Sequence, residues 1–151
     1  MIDNLPFFVY GTLIPGQSSS TLWNRGITQS QDAYLTNSLL YSLGDFPMLI
    51  DSDQPDGISF LNYKSARVKG KLVMVDSLQY RAIVSELDRY EGYFPENEAE
   101  SLYLRRRRWV TLDSGKQKLA WAYIGKITYT KDRPVVPGGD WISYIQAPAS
   151  S

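Results

Sequence analysis

Proton transfer in this chain would have to rest on carboxylates, lysines or tyrosines. The 151 residues include no cysteine and no histidine. These absences exclude a cysteine nucleophile, a Ser-His-Asp triad and the usual zinc sites. General acid–base catalysis stays open to Asp, Glu, Lys and Tyr. The residue to look for is therefore a carboxylate whose surroundings move its pKa toward neutral pH.

Glu91 is the carboxylate whose position along a predicted helix would place it in surroundings that raise its pKa. Apolar residues recur every three or four positions along one predicted helix and define a buried face. They are Leu78, Tyr80, Ile83, Val84, Leu87 and Tyr90. Glu91 follows Leu87 by four residues and Val84 by seven, so it continues this face, whereas Glu86 and Asp88 are assigned to polar faces. The alternative is that Glu91 lies at a frayed helix end and faces water.

Both ends of this predicted helix have residues that commonly begin or end a helix. Asp76 can accept hydrogen bonds from the first free amides and Gln79 can reach back to it, as in a capping box. Gly92 stands where a helix commonly ends. Glu91 would then lie in the last turn, where burial and the negative end of the helix dipole both raise the pKa of a carboxyl group. That shift suits a general acid and base, and NMR titration of the carboxyl group tests it.

A second candidate site lies in the turn after the first predicted strand. Residues 7–10 favour β structure and run directly into Gly11 and Thr12, a pattern that indicates a buried strand ending abruptly. Successive backbone amides in such a turn can form a concave site for a carboxylate or another small anion. The alternative is an ordinary strand followed by a Gly/Pro loop.

The remaining elements are mostly strands, which indicates an α+β fold with an antiparallel or mixed sheet. One extended strand is predicted over residues 31–43 and another over 68–75. Residues 109–112 are predicted to continue a strand inward and to form a hairpin with 118–124. The other predictions are an exposed loop over 51–59, a cap at Asp140 for a short last element, and a loose tail over 147–151.

Charge and hydropathy limit the classes of partner that we expect for this protein. Sixteen basic and sixteen acidic residues cancel, so no long-range field attracts nucleic acid or an anionic membrane. The run from Arg105 to Arg108 would split between the two faces of a strand. No apolar run approaches the roughly 20 residues of a spanning helix, and Asp3 and Pro6 interrupt a signal-peptide pattern. We therefore predict one cytoplasmic domain over residues 1–151, with no nucleic-acid or membrane partner.

Several segments, in the correct order, resemble the γ-glutamylcyclotransferase family, in particular its γ-glutamylamine cyclotransferase-like branch. The first is Tyr10-Gly11-Thr12-Leu13 behind an apolar run near the start of the chain. A glycine-containing strand over 68–75 leads into the helix. The segment Leu87-Asp88-Arg89-Tyr90-Glu91-Gly92-Tyr93 is similar to the family's Leu-Asp-x-x-Glu-Gly-x, and Tyr103-Leu104-Arg105 to its Tyr-x-Arg.

The resemblance implies a small, closed or nearly closed barrel of mixed or antiparallel strands with flanking helices. It implies that Glu91 is catalytic and that the backbone of residues 10–13, that is Tyr10, Gly11, Thr12 and Leu13, binds the α-carboxylate of a γ-glutamyl substrate. The α-amine would attack the γ-carbonyl and release 5-oxoproline, with no metal and no cofactor. Tyr103 and Tyr123 are candidates for the pocket wall and for stabilising the oxyanion.

Two alternative functions use the same residues. One is a binding module that holds a small amino acid or peptide without turnover. The other is removal of a γ-glutamyl protecting group from a biosynthetic intermediate. The sequence specifies neither the leaving amine nor an oligomeric state, and residues 51–66 are the loop expected to contact that amine.

Overall fold

The computed structural model describes residues 4–52 and 66–146. The strands are β1 (Phe7–Val9), β2 (Ile27–Thr36), β3 (Ser38–Ser42), β4 (Pro47–Asp51), β5 (Arg67–Val75), β6 (Tyr103–Leu112) and β7 (Gln117–Gly125). The helices are α1 (Tyr80–Glu91) and α2 (Trp141–Gln146). Short 3₁₀ helices lie at Ser20–Leu22, Asn24–Gly26, Glu98–Glu100, Ile127–Thr130 and Pro137–Gly139.

Five strands close into a barrel in the order β1-β5-β2-β6-β7. Neighbouring strands are antiparallel except at the closure, where β1 runs parallel to β7 with Phe7 opposite Trp121. β3 and β4 form a separate antiparallel pair. The α+β fold with a small mixed barrel and flanking helices is therefore confirmed.

Strand alternation divides the core into two clusters. One cluster takes residues from all five barrel strands, among them Phe8 and Ala122, and it fills the barrel. The other takes the opposite faces of β1 and β7, with Phe7 and Tyr123, and packs them against Leu87 of α1. The predicted β6–β7 hairpin is confirmed, because the Leu112 amide donates to the Lys116 carbonyl across the turn at 2.8 Å.

Two predictions about local structure are wrong. Residues 31–43 form two strands, because Asn37 has φ +55° and turns the chain between β2 and β3; asparagine tolerates this left-handed conformation better than most residues. The helix begins at Tyr80, and two of the residues predicted for its buried face do not belong to it, because Leu78 is 93% exposed and Tyr90 is 45% exposed. Asp76 does accept from the Leu78 amide at 3.2 Å.

Burial corrects two further predictions, one about the loop over 51–59 and one about the strand segment 109–112. Asp51 was assigned to an exposed loop, but it is a buried residue of β4 whose carboxylate accepts from Arg108 Nε at 2.6 Å. Trp109 was predicted to point inward, but it is 60% exposed. The cap at Asp140 is confirmed by the Ser143 amide at 3.2 Å from its carboxylate. The rest of the loop, 53–65, and the tail 147–151 lie outside the described residues.

Candidate active site

Three consecutive carbonyls are fixed in the turn after β1. Gly11 O accepts from the Ile14 amide at 3.0 Å, and Thr12 O accepts from the Ser19 amide at 2.9 Å. Leu13 O accepts from the indole Nε1 of Trp23 at 3.0 Å, and Trp23 is fully buried. Because a trans peptide holds its N–H opposite to its carbonyl, these bonds also set the directions of the Thr12 and Leu13 amides.

Gly11 lets β4 approach this turn closely. A Cβ atom at position 11 would lie 2.6 Å from Pro47 Cγ, so any larger residue would push the first residue of β4 away. Pro47 is itself held from the opposite side, because its carbonyl accepts from the Tyr103 hydroxyl at 2.8 Å. The glycine of the predicted Tyr-Gly-Thr-Leu turn is therefore required by packing.

The end of α1 brings Glu91 to the same place. Gly92 adopts the left-handed conformation, with φ +67° and ψ +36°, that stops a helix. The Tyr93 amide then donates to the Asp88 carbonyl at 2.8 Å, which completes a Schellman motif. Tyr90 ties this last turn to the first loop, since its hydroxyl lies 3.0 Å from Thr12 Oγ1 and 2.6 Å from Ser19 Oγ.

One cavity of about 240 Å³ joins these parts. It is lined by all seven residues predicted for the site, namely Tyr10, Gly11, Thr12, Leu13, Glu91, Tyr103 and Tyr123. Phe46, Pro47, Tyr90 and Leu102 also line it. The structure thus places the predicted catalytic carboxylate and the predicted anion-binding turn on the same cavity. The roles assigned to these residues stay predictions.

Glu91 has an unusual electrostatic environment for a carboxylate. Burial raises the pKa of Glu91 from 4.5 to about 8. No hydrogen bond or ion pair joins its side chain to another residue in the described part of the chain. The pKa is raised because no cation compensates the lost hydration of the charged form. The raised pKa agrees with the expectation from the sequence, and burial is its cause.

Three of the four tyrosines that line the cavity donate their hydroxyl protons to other groups of the protein. Tyr10 donates to the Tyr123 carbonyl at 2.6 Å, Tyr103 to the Pro47 carbonyl, and Tyr123 to Asp88 Oδ1 at 2.7 Å. Burial raises the pKa of each of these phenols, and the nearby Glu91 raises it further. Tyr103 and Tyr123 therefore fit the predicted pocket wall, but donation to an oxyanion would break an existing bond.

Asp88 was assigned to a polar face, and that prediction is wrong. Its carboxylate is buried and accepts from Arg105 Nε at 2.8 Å and from the Tyr123 hydroxyl. The Arg105 guanidinium in turn lies 4.5 Å from the centre of the Trp121 ring. The missed signal was its spacing, because Asp88 follows Val84 by four residues, the same interval that places Leu87 and Glu91 together.

The arginine run divides as the strand pattern predicted. Arg105 and Arg107 both lie over the Trp121 ring, while Arg106 pairs with Glu98 at 2.7 Å and Arg108 with Asp51. No cluster of three or more metal-binding side chains occurs among residues 4–52 and 66–146. Nor does any helix in those ranges have the length and apolar character to cross a membrane.

Comparison with known proteins places this geometry in a family. The model of the family described as "Gamma-glutamyl cyclotransferase, AIG2-like" matches residues 7–143. The chain belongs to this family. No match was found among curated protein sequences.

Solved structures share the fold. An AIG2-like protein from Mus musculus has a TM-score of 0.65 at 19% identity, over 95% of this chain and 90% of that chain. YkqA from Bacillus subtilis has a TM-score of 0.63 at 22% identity, over 97% of this chain and 44% of that one, so this chain spans less than half of YkqA. The E. coli protein c4763 has a TM-score of 0.58 at 15% identity, over 95% and 97% of the two chains. At these identities the similarity concerns the fold.

Proposed function

We propose that this protein is a cyclotransferase that acts on a γ-glutamyl group and releases 5-oxoproline and an amine. The proposal is supported by one observation above all: a group that can attract a cation and a turn that can bind an anion line the same cavity. Glu91 is a carboxylate with no cationic partner among residues 4–52 and 66–146, and it faces the space that the amide-bearing turn 10–13 also lines. A substrate with one carboxylate and one ammonium group complements both sites. The family of the chain supports the same reaction.

The α-carboxylate of the substrate binds at the turn. The carbonyls of Gly11 and Thr12 are held by Ile14 and Ser19, so the amides of Thr12 and Leu13 point away from those partners. Backbone amides in this arrangement bind an anion without a basic side chain. The α-ammonium then lies beside Glu91, and this new cation lowers the pKa of the carboxyl group and favours its charged form.

The reaction is an intramolecular acyl transfer. Glu91 takes a proton from the α-ammonium, and the freed nitrogen attacks the γ-carbonyl carbon. A C–N bond forms in the five-membered ring and the original amide C–N bond breaks. Glu91 returns this proton to the departing nitrogen and then passes on the second proton that the ring nitrogen loses as the lactam forms. The amine therefore leaves as an ammonium ion, and the carboxylate is regenerated. The substrate supplies its own nucleophile, and the enzyme contributes the folded pose, which can lower the barrier by several kcal/mol, together with general acid–base catalysis.

Release of 5-oxoproline tests this function. The protein is incubated with a panel of γ-glutamyl amides, with and without EDTA, and the cyclised product is measured by mass spectrometry. We expect product from wild type at equal rates in both conditions, and a rate about 10²–10⁴-fold lower from Glu91→Gln. Binding of the panel without any product would contradict the cyclotransferase and favour the binding module instead.

A further inference from the structure

The cavity has a deep part and a mouth, which differ in exposure. Tyr103 and Tyr123 are each 3% exposed and form the deep part. Phe46 is 37% exposed and Tyr90 is 45% exposed, so they stand where the cavity opens, together with the half-buried Leu102. We call Phe46, Tyr90 and Leu102 the mouth. The cavity, at about 240 Å³, is smaller than the roughly 300 Å³ at which pockets for drug-sized ligands begin. A γ-glutamyl group in the deep part therefore leaves its amide substituent at the mouth.

Phe46 is held at the mouth by the β3–β4 turn. The Leu43 amide donates to the Phe46 carbonyl at 3.0 Å, and Gly44 between them has φ +104°. The next residue, Pro47, is fixed between Gly11 and the Tyr103 hydroxyl. The backbone of Phe46 is therefore positioned before any ligand arrives, which lowers the entropy cost of binding.

Leu102 is held on the Glu91 side of the cavity. Its amide donates to the Gly92 carbonyl at 3.0 Å, directly after the carboxylate-bearing residue. A Cβ at position 92 would touch Leu102 Cβ at 3.4 Å, so the two segments are in close contact. Leu102 thus contributes apolar surface next to the residue that returns a proton to the leaving amine.

Charged side chains are scarce among the residues that line the cavity. Among the cavity-lining residues in the described ranges, Glu91 is the one that carries a formal charge. The mouth offers no cation to a substituent that carries a carboxylate. It offers no acid, other than the one engaged in the reaction, to a substituent that carries an ammonium group. Apolar surface buried against Phe46 and Leu102 would instead gain the hydrophobic contribution.

We propose that the mouth selects the leaving amine, and that the preferred amine carries a branched alkyl or aromatic substituent with no charged group besides the reacting nitrogen. This inference rests on the proposed function and adds the substrate class. Phe46 and Leu102 are the specificity-determining residues. They contact the substituent and take no part in proton transfer.

Five γ-glutamyl amides test the preference. Their amine parts are benzylamine, isopentylamine, methylamine, glycine and 1,5-diaminopentane. We expect kcat/KM for the benzyl and isopentyl compounds to exceed that for the glycine and diaminopentane compounds about tenfold or more. Phe46→Ala and Leu102→Ala should each lower kcat/KM for the benzyl compound about tenfold. The methyl compound does not reach the mouth, and its kcat/KM should change less than about twofold.

Phe94→Ala is the matched control. Phe94 is 48% exposed, like Phe46 it is an aromatic residue outside a helix, and it does not line the cavity. Its truncation should leave all five rates unchanged. Equal rates for the neutral and charged compounds, or an equal loss for the methyl and benzyl compounds in Phe46→Ala, would overturn the inference while leaving the cyclotransferase intact.

Affinity supplies a readout that does not need turnover. The five compounds are titrated into Glu91→Gln by calorimetry, where we expect the benzyl compound to bind about tenfold more tightly than the glycine compound. If none of the compounds yields 5-oxoproline with wild type, the proposed function fails. Equal affinities would then reject the apolar mouth as well, whereas the expected ratio would support it independently.

Discussion

Two carboxylates lie one turn apart on α1, both turned toward the protein, and they have opposite environments. Asp88 accepts from Arg105 and Tyr123 in a buried ion pair. Glu91 lines the cavity and has no such partner in the described part of the chain, and burial raises its pKa to about 8. A buried carboxylate that meets a cation becomes part of the structure, whereas one that meets none is poised to exchange protons near neutral pH.

The position of Arg105 produces this difference. Its guanidinium lies between the rings of Trp121 and Tyr93, at 4.5 and 5.4 Å from their centres, and so is held at Asp88. Asp88 also binds the hydroxyl of Tyr123, whose ring lines the cavity. The paired carboxylate therefore supports the wall of the cavity, and the unpaired one faces its interior.

The largest expected effect comes from Glu91→Gln, which keeps the shape of the side chain and removes its titration. We expect the rate of 5-oxoproline release to fall by about 10²–10⁴, the usual contribution of general acid–base catalysis. The measurement is product formation under single-turnover conditions. The far-UV circular dichroism spectrum should be unchanged. A variant that keeps a tenth of the wild-type rate would show that Glu91 is not the proton-transfer group.

Asp88→Asn should affect stability far more than Glu91→Gln does. The change removes the charge that compensates Arg105 in the interior, and breaking a buried pair costs about 3–5 kcal/mol. Urea denaturation measures the free energy of unfolding. The matched double variant Asp88→Leu with Arg105→Met replaces the pair with apolar residues and should recover most of that loss. A loss below about 1 kcal/mol for Asp88→Asn would mean that the pair is dispensable.

The sequence pattern predicted the inward position of Glu91 but assigned Asp88 to the wrong face of the helix. Glu91 was placed by its distance from Leu87 and Val84, which is a property of the helix alone. Asp88 was assigned to a polar face from the same helical spacing. The ion pair depends on Arg105, which is 17 residues away and reaches Asp88 through the pairing of β6 with β7. Helix periodicity could have placed Asp88 on the inward face, but it does not reveal that Arg105 is its partner.

The barrel was implied by the family resemblance and the turn at residues 10–13 was predicted from the sequence pattern, whereas the mouth was not anticipated. The period of two along β7 places Ala120 and Ala122 in one core cluster and Trp121 and Tyr123 in the other. Phe46 and Leu102 reach the cavity from a turn and a loop, whose placement depends on long-range contacts such as the Leu102 amide to the Gly92 carbonyl. The break at Asn37 was missed because a left-handed residue between two β-favouring segments leaves little trace in their composition.

A pH titration of stability sharpens the contrast between the two acids. The pKa of Glu91 is 4.5 in the reference state and about 8 in the fold. Between these values the folded state holds a proton that the unfolded chain has released. The contribution of Glu91 to the free energy of unfolding should therefore be greatest below about pH 4.5, and it should be lost as the pH rises through 8. Because water reaches the carboxylate through the mouth, we expect a loss of about 1–3 kcal/mol.

Glu91→Gln is the control for that titration. The glutamine does not ionise. The decrease in the free energy of unfolding between pH 5 and pH 8 should therefore be smaller in the variant than in wild type, by about 1–3 kcal/mol. Urea denaturation at fixed ionic strength in both proteins gives the comparison. Identical pH profiles would show that the Glu91 carboxyl group titrates as it does in the unfolded chain.

Tyr90→Phe should give the smallest effect, because it changes only how the helix end is fastened to the turn. The phenol bonds to Thr12 Oγ1 and Ser19 Oγ are neutral, and Tyr90 is 45% exposed, so their loss costs about 0.5–1.5 kcal/mol. If Tyr90 holds the turn in place, KM should rise about two- to tenfold with kcat nearly constant. Tyr129→Phe, at a residue that is also 45% exposed and lies outside the cavity, should change neither constant. A fall in kcat of about a hundredfold for Tyr90→Phe would instead make its hydroxyl a second proton-transfer group beside Glu91.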